Sequence, residues 1–259
     1  MPFLDRNGYR LHYRLSGPEG APVLLLGNSI ASDLTIWDEV AADLDRDFRV
    51  LRFDMPGHGE SDPVPGVEDL AALALEPLAL LDALDIEQAH LAGISLGAMV
   101  AAELALKEPR RCLSLIYCNA ITEAGPAYAA MWRERIHQTP EGLAPIVEST
   151  LDRWLTADAL AGLRRRTGEM ILASSTVGFH AAATALTGLS LTDRLAELDV
   201  PKLFLAGEHD QAAPPEVMKA QAGQAGAAFT TFPGAAHLSC LEQPAALAGT
   251  MRGWMLRSL

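Results

Sequence analysis

Apolar residues along this chain follow two rhythms. Short strand-like runs lie at Pro22 to Leu26, Phe48 to Phe53, Ala89 to Ala92, Leu113 to Cys118, Pro201 to Ala206 and Ala227 to Phe232. Such runs predict strands of a parallel sheet buried on both faces. Between them the apolar positions recur at helical spacing. Trp37, Val40, Ala41 and Leu44 predict one helix, Asp69 to Leu84 a second, Ala98 to Lys107 a third and Gln243 to Leu259 a closing one. Pro77 should kink or restart the second, because its ring carries no backbone donor. At the start, Phe3 to Arg6 and Tyr9 to Leu15 alternate around Asn7-Gly8, a dipeptide that accepts the positive φ of a tight hairpin. Strands alternating with helices predict an α/β protein with a mostly parallel, eight-stranded sheet and helices on both faces.

Residues 121–191 break that alternation. They hold helical patches at Tyr128 to Ile136, Leu143 to Trp154, Ala157 to Arg166 and Met170 to Ala173, punctuated by Pro126, Pro140 and Gly168. The chain is therefore expected to divide into a core, residues 1–120 and 192–259, and a helical lid insertion, residues 121–191, over the strand ends.

The length of 259 residues suffices for one large α/β domain with such an insertion. A net charge of −13 argues against a nucleic-acid partner, which needs a basic face. An anionic ligand would need a local group of arginines to overcome that field. No apolar run reaches the ~18 residues of a membrane span, and Met1 to Arg6 has no signal-peptide pattern. Three cysteines, Cys112, Cys118 and Cys240, make no ligand spacing and no disulfide framework. The expectation is a cytoplasmic protein with no metal and no membrane partner.

The candidate chemistry centres on Gly93-Ile94-Ser95-Leu96-Gly97, set between a strand and a helix. A serine on such a tight turn presents its hydroxyl outward, and the following helix aims unpaired N–H groups at the same point. Serine needs a base to become a nucleophile. Of seven histidines, His237 lies in the loop after the last strand, at the sheet edge expected for Ser95, whereas His58 reads as a loop residue. Asp210 follows the strand ending at Ala206 and completes the order Ser95, Asp210, His237; Glu208 and His209 on that loop are close alternatives, but a neighbouring residue there points elsewhere. The backbone N–H of Leu96 and that of Ile30, with Ser29 second, are the expected oxyanion donors.

Together these residues resemble the α/β-hydrolase superfamily over nearly the whole chain. Within it the chain is similar to the 3-oxoadipate enol-lactonases. The likeness is carried by Leu26-Gly27-Asn28-Ser29-Ile30 with Trp37-Asp38, by Asp54 to Ser61, by the serine motif and by Tyr117-Cys118-Asn119. It continues in Gly207-Glu208-His209-Asp210 with Pro214-Pro215, in Ala236-His237-Leu238-Ser239 and in Glu242-Gln243-Pro244. Met131 to Ile136 resembles the family's lid pattern, with Trp132 three residues before Arg135. The resemblance implies hydrolysis, without a cofactor, of a small anionic enol-lactone in aromatic catabolism. It also implies that Ser29, Trp132 and Arg135 bind the substrate, Arg135 holding its carboxylate. Arg133 and the run Arg164-Arg165-Arg166 are fallbacks, the run reading first as a solvated helix face. The chain departs from the family at Cys240, where asparagine is usual, and over Val177 to Asp193. The residues alone leave open a broader carboxylesterase or lactonase, a cofactor-free peroxidase and an idle small-ligand receptor. They also leave room for a homo-oligomer.

Overall fold

The computed structural model describes residues 2–6, 8–64, 66–67 and 69–258. Its strands are β1 (Phe3–Arg6), β2 (Tyr9–Ser16), β3 (Val23–Gly27), β4 (Arg49–Phe53), β5 (Ala89–Ile94), β6 (Cys112–Cys118), β7 (Lys202–Gly207) and β8 (Ala228–Phe232). They form one eight-stranded sheet in the order β1-β2-β4-β3-β5-β6-β7-β8. β1 and β2 pair antiparallel, as do β2 and β4, and every later pairing is parallel. Each predicted run became a strand, its ends shifted by a residue or two. Every residue of β3, β5 and β7 is buried, because helices cover both faces. The hairpin pairs Phe3 with His12 and Arg6 with Tyr9. Gly8 has φ +98°, while Asn7 lies outside the described residues.

The helices of the first half are α1 (Asp38–Leu44), α2 (Leu70–Leu73), α3 (Leu75–Ala83) and α4 (Leu96–Lys107). The stretch containing Pro77 does restart, but the break falls at Ala74. Pro77 is thereby the third residue of α3. N–H groups in a helix's first turn have no intrahelical acceptor, so its missing donor costs nothing there.

Between β6 and β7 the chain forms α5 (Pro126–Gln138), α6 (Val147–Trp154), α7 (Ala161–Ala173), α8 (Thr176–Leu186) and α9 (Thr192–Glu197). Gly168 does not interrupt a helix as expected. It lies inside α7, where a Cβ would sit 3.5 Å from Leu151 and 3.6 Å from Val147 on α6. α8 had no counterpart in the predicted patches. Its buried Phe179, Ala182, Ala183 and Leu186 form a helical stripe, and the Ser175 hydroxyl caps its start by accepting from the Gly178 N–H. α8 meets the core where Gly178 abuts Gly57 backbone to backbone; a Cβ on Gly178 would stand 2.5 Å from the Gly57 Cα. The two ends of this segment lie side by side. Glu123 and Ser190 form an antiparallel bridge, Ala124 N–H donates to Leu189 O at 2.8 Å, and Leu191 N–H donates to Thr122 O at 2.8 Å. The chain closes with α10 (Pro215–Gln224), α11 (Ser239–Glu242) and α12 (Pro244–Met255).

Candidate active site

Parallel strands end together, so the loops after β3, β5, β6, β7 and β8 share one sheet edge. Ser95 follows β5 directly and holds φ 56° and ψ −120°, a conformation that a non-glycine residue adopts only under strain. Its N–H donates to Cys118 O at 2.9 Å, tying the turn to β6. The turn also needs its glycines: a Cβ on Gly97 would lie 2.2 Å from Gly27 O. Leu96 opens α4, and Ile30 follows β3. Neither N–H finds an acceptor among the described residues.

His237 lies between β8 and α11. Its Nδ1 is 2.9 Å from Oδ2 and 3.1 Å from Oδ1 of Asp210. Both side chains are buried. Asp210 also accepts from Ala212 N–H at 2.8 Å and Ala213 N–H at 2.9 Å through Oδ1. Glu208 and His209, its neighbours, are exposed. With Nδ1 engaged by the carboxylate, Nε2 is the ring nitrogen left to exchange a proton.

Asn119, at the end of β6, ties these loops together. Its Nδ2 donates to Asp210 Oδ2 at 3.0 Å and to Ala236 O at 3.1 Å, and its Oδ1 accepts from Ser239 Oγ at 2.6 Å. Sequence reading included Asn119 in a motif without giving it a role; a polar residue closing an otherwise apolar buried strand was the available signal. Glu242 adds a second clamp. One of its oxygens accepts from Ala236 N–H at 2.7 Å, and the other accepts from Thr156 N–H and Oγ1, each at 2.7 Å.

Ser95, His237 and Ile30 line one cavity of about 410 Å³, its open mouth included. Trp132, Arg135, Arg153 and Tyr128 form other parts of its wall. The Arg135 guanidinium lies 5.7 Å from the Trp132 ring and donates to Thr150 Oγ1 at 2.8 Å. Burial, with a smaller contribution from Arg153, pulls its pKa down to about 10. Arg153 had not been singled out from the sequence. Arg133 is exposed, and Arg164 to Arg166 are turned to Glu148, Asp152, Glu169 and the Thr35 carbonyl.

Ser29 stands apart from the expected set. It is fully buried and is not part of the cavity wall; its carbonyl accepts from Asn28 Nδ2 and Ser32 Oγ within the turn. Cys240 and residues 177–193 are likewise absent from that wall. His58 is buried with Nδ1 against Pro56 O, and burial pushes its pKa down to about 4. It is a loop residue, as read from the sequence. Among the described residues no cluster of His, Cys, Asp and Glu is placed to hold a metal ion.

A hydroxyl, an imidazole held by a carboxylate and paired N–H donors are the parts that acyl transfer requires. Comparison with known proteins bears on the scaffold that carries them. Residues 22–244 match the family model of the alpha/beta hydrolase fold. The chain belongs to the α/β-hydrolase family. The chain is 32% identical over 214 residues to 3-oxoadipate enol-lactonase 1 of Acinetobacter baylyi, covering 80% of this chain and 78% of that protein. The enol-lactonase of Burkholderia xenovorans LB400 superposes with a TM-score of 0.92 at 30% identity, covering 98% of this chain and 100% of its own. A thermophilic esterase from Thermogutta terrifontis, described with malate bound, gives 0.90 at 30% identity, covering 96% and 94%. No helix among the described residues of this α/β-hydrolase is long and apolar enough to cross a membrane.

Proposed function

We propose that this α/β-hydrolase opens a small carboxylate-bearing enol-lactone of the 3-oxoadipate type through an acyl-enzyme. The supporting observation is the Asp210–His237 contact beside Ser95 at one cavity. In this reading Ser95 Oγ attacks the ring carbonyl while His237 Nε2 takes its proton. Asp210 holds the ring and favours the imidazolium. The N–H groups of Leu96 and Ile30 stabilise the oxyanion. The ring C–O bond then breaks, His237 returns the proton to the departing enol oxygen, and the enol becomes a ketone still tethered to the acyl group. Water, deprotonated by His237, attacks the acyl carbon and frees Ser95, giving a 3-oxo diacid. No cofactor enters the sequence.

Arg135 takes the carboxylate arm, with Trp132 beside it, and Ser29 serves only to shape the turn that carries Ile30. Residues 121–191 act as the lid, since α5 and α6 supply the cavity wall opposite the sheet edge. Three free, buried cysteines suit a reducing, cytoplasmic setting. A broader carboxylesterase is the second reading, supported by the likeness to an esterase. Turnover of the carboxymethyl enol-lactone, a neutral lactone and a short aryl ester separates the two. A kcat/KM on the enol-lactone well above the others is the expected result. Equal values on all three would favour the esterase, and no turnover of any would remove both.

A further inference from the structure

We propose that Arg153 joins Arg135 to form one two-cation subsite for the substrate's carboxylate, and that Arg153 determines specificity as much as Arg135 does. The inference rests on the hydrolase reading only for the reacting end of the cavity.

The first ground is charge. The chain carries a net −13; in the same segment Arg164, Arg165 and Arg166 have acidic or carbonyl partners, and Arg133 is exposed. Arg135 on α5 and Arg153 on α6 are both half-buried, and neither forms an ion pair among the described residues. Their polar neighbours are neutral: Thr150 Oγ1 at 2.8 Å from Arg135, and Met131 Sδ at 2.9 Å from Arg153. No acidic side chain among the described residues contributes to the cavity wall. Two cations that repel each other at partial burial are destabilising until an anion sits between them. Burial is the main cause of the depressed Arg135 pKa, and the smaller contribution of Arg153 is this repulsion seen from one partner.

The second ground is a weakly engaged donor. Trp132 is 7% exposed, its Nε1 makes no close hydrogen bond among the described residues and has only the Tyr128 phenol near it, and the residue walls the same cavity. A buried N–H held this loosely gains from a stronger acceptor brought by a ligand. Two guanidinium groups and one indole N–H together match a carboxylate, which has two oxygens and four lone-pair directions. Ser95 and His237 belong to the same cavity. A ligand seated there therefore presents its carboxylate to the arginines and its acyl carbon to the serine.

The test uses the full chain with adipate as probe. Calorimetry at low ionic strength should show adipate binding to Ser95→Ala, weakened about 10- to 100-fold by adding Arg153→Met and less by Arg153→Lys. In parallel, mono(4-nitrophenyl) succinate and 4-nitrophenyl butyrate are compared as an anionic and a neutral ester of like size. Arg153→Met should lower kcat/KM for the anionic ester at least tenfold more than for the neutral one, mainly through KM. Circular dichroism and the Arg153→Lys protein control for folding. Equal losses on both esters, or adipate affinity indifferent to Arg153, would overturn the subsite and leave the hydrolase reading standing. Full activity in Ser95→Ala would instead remove the Ser95 acyl-enzyme, while the adipate titration would still decide the arginine pair.

Discussion

Asn119 reaches 3.0 Å from Asp210 across a separation of 91 residues in the chain, and the same amide nitrogen holds the carbonyl of Ala236, next to His237. One side chain thus sets the distance between the acid and the loop that carries the base. Asn119→Ala should leave the Ser239 hydroxyl and the Ala236 carbonyl short of partners, at about 1–3 kcal/mol each when buried. We expect a lower unfolding midpoint and a fall in kcat. Asn119→Asp places a second negative charge beside the pair and should raise the pH of the acidic limb of the kcat/KM profile, because a carboxylate favours the imidazolium. A limb that stays in place in Asn119→Asp would deny the residue this electrostatic influence.

Ser95→Ala removes the proposed nucleophile and leaves Leu96 and Ile30 in place. Turnover of the enol-lactone should fall to the residual ~10³–10⁴ over water that such sites keep without their nucleophile. Stopped-flow absorbance with an aryl ester should also lose its initial burst. An undiminished rate would remove the acyl-enzyme.

Acid should destabilise the fold through two buried histidines. Burial pushes His58 and His90 down to about 4 from 6.5. Their folded-state values lie below the unfolded ones, so between those limits the unfolded chain binds more protons. Stability is complete above about pH 6.5 and declines as pH falls towards 4, by on the order of 3 kcal/mol per histidine. Denaturant unfolding from pH 7 to 4.5 should show the decline. His90→Gln keeps a partner for Ser114, whose hydroxyl lies 2.8 Å from His90 Nδ1, and should flatten the slope.

Two glycines in neighbouring helices should respond in opposite ways. Gly178→Ala forces a methyl to 2.5 Å from the Gly57 Cα, and overpacking of that kind costs roughly 1–3 kcal/mol. Gly168→Ala meets only side-chain atoms at 3.5 Å and 3.6 Å within a helix, where alanine is favoured by about 0.5–1 kcal/mol. Thermal unfolding of the two variants should therefore move below and above the wild-type midpoint. A shared direction would contradict the packing described for α7 and α8.

The sheet could be read from the chain because its strands are short, apolar and bounded by turn residues, and the positions of Ser95, Asp210 and His237 followed from where those strands end. Features that depend on contacts between elements were hidden. Gly168 looked like a helix breaker because nothing local marks α6 as its neighbour. α8 escaped notice because Ala182 and Ala183 give its apolar stripe little bulk. Arg153 resembled any other arginine on an amphipathic helix, and only the meeting of α5 and α6 turns it to the cavity. Ser29 differs for the opposite reason: adjacency to Ile30 suggests a shared role, whereas the turn leaves the residue fully buried and outside the cavity wall.

Glu242 spans two parts of the molecule with one carboxylate, gripping the backbone beside His237 and the first residues after α6. Swinging α6 outward to admit a larger guest would therefore slacken the histidine's own mooring. Breadth of diet and readiness of the base are coupled in this architecture, and selection for a roomier enzyme would have to rebuild that tether first.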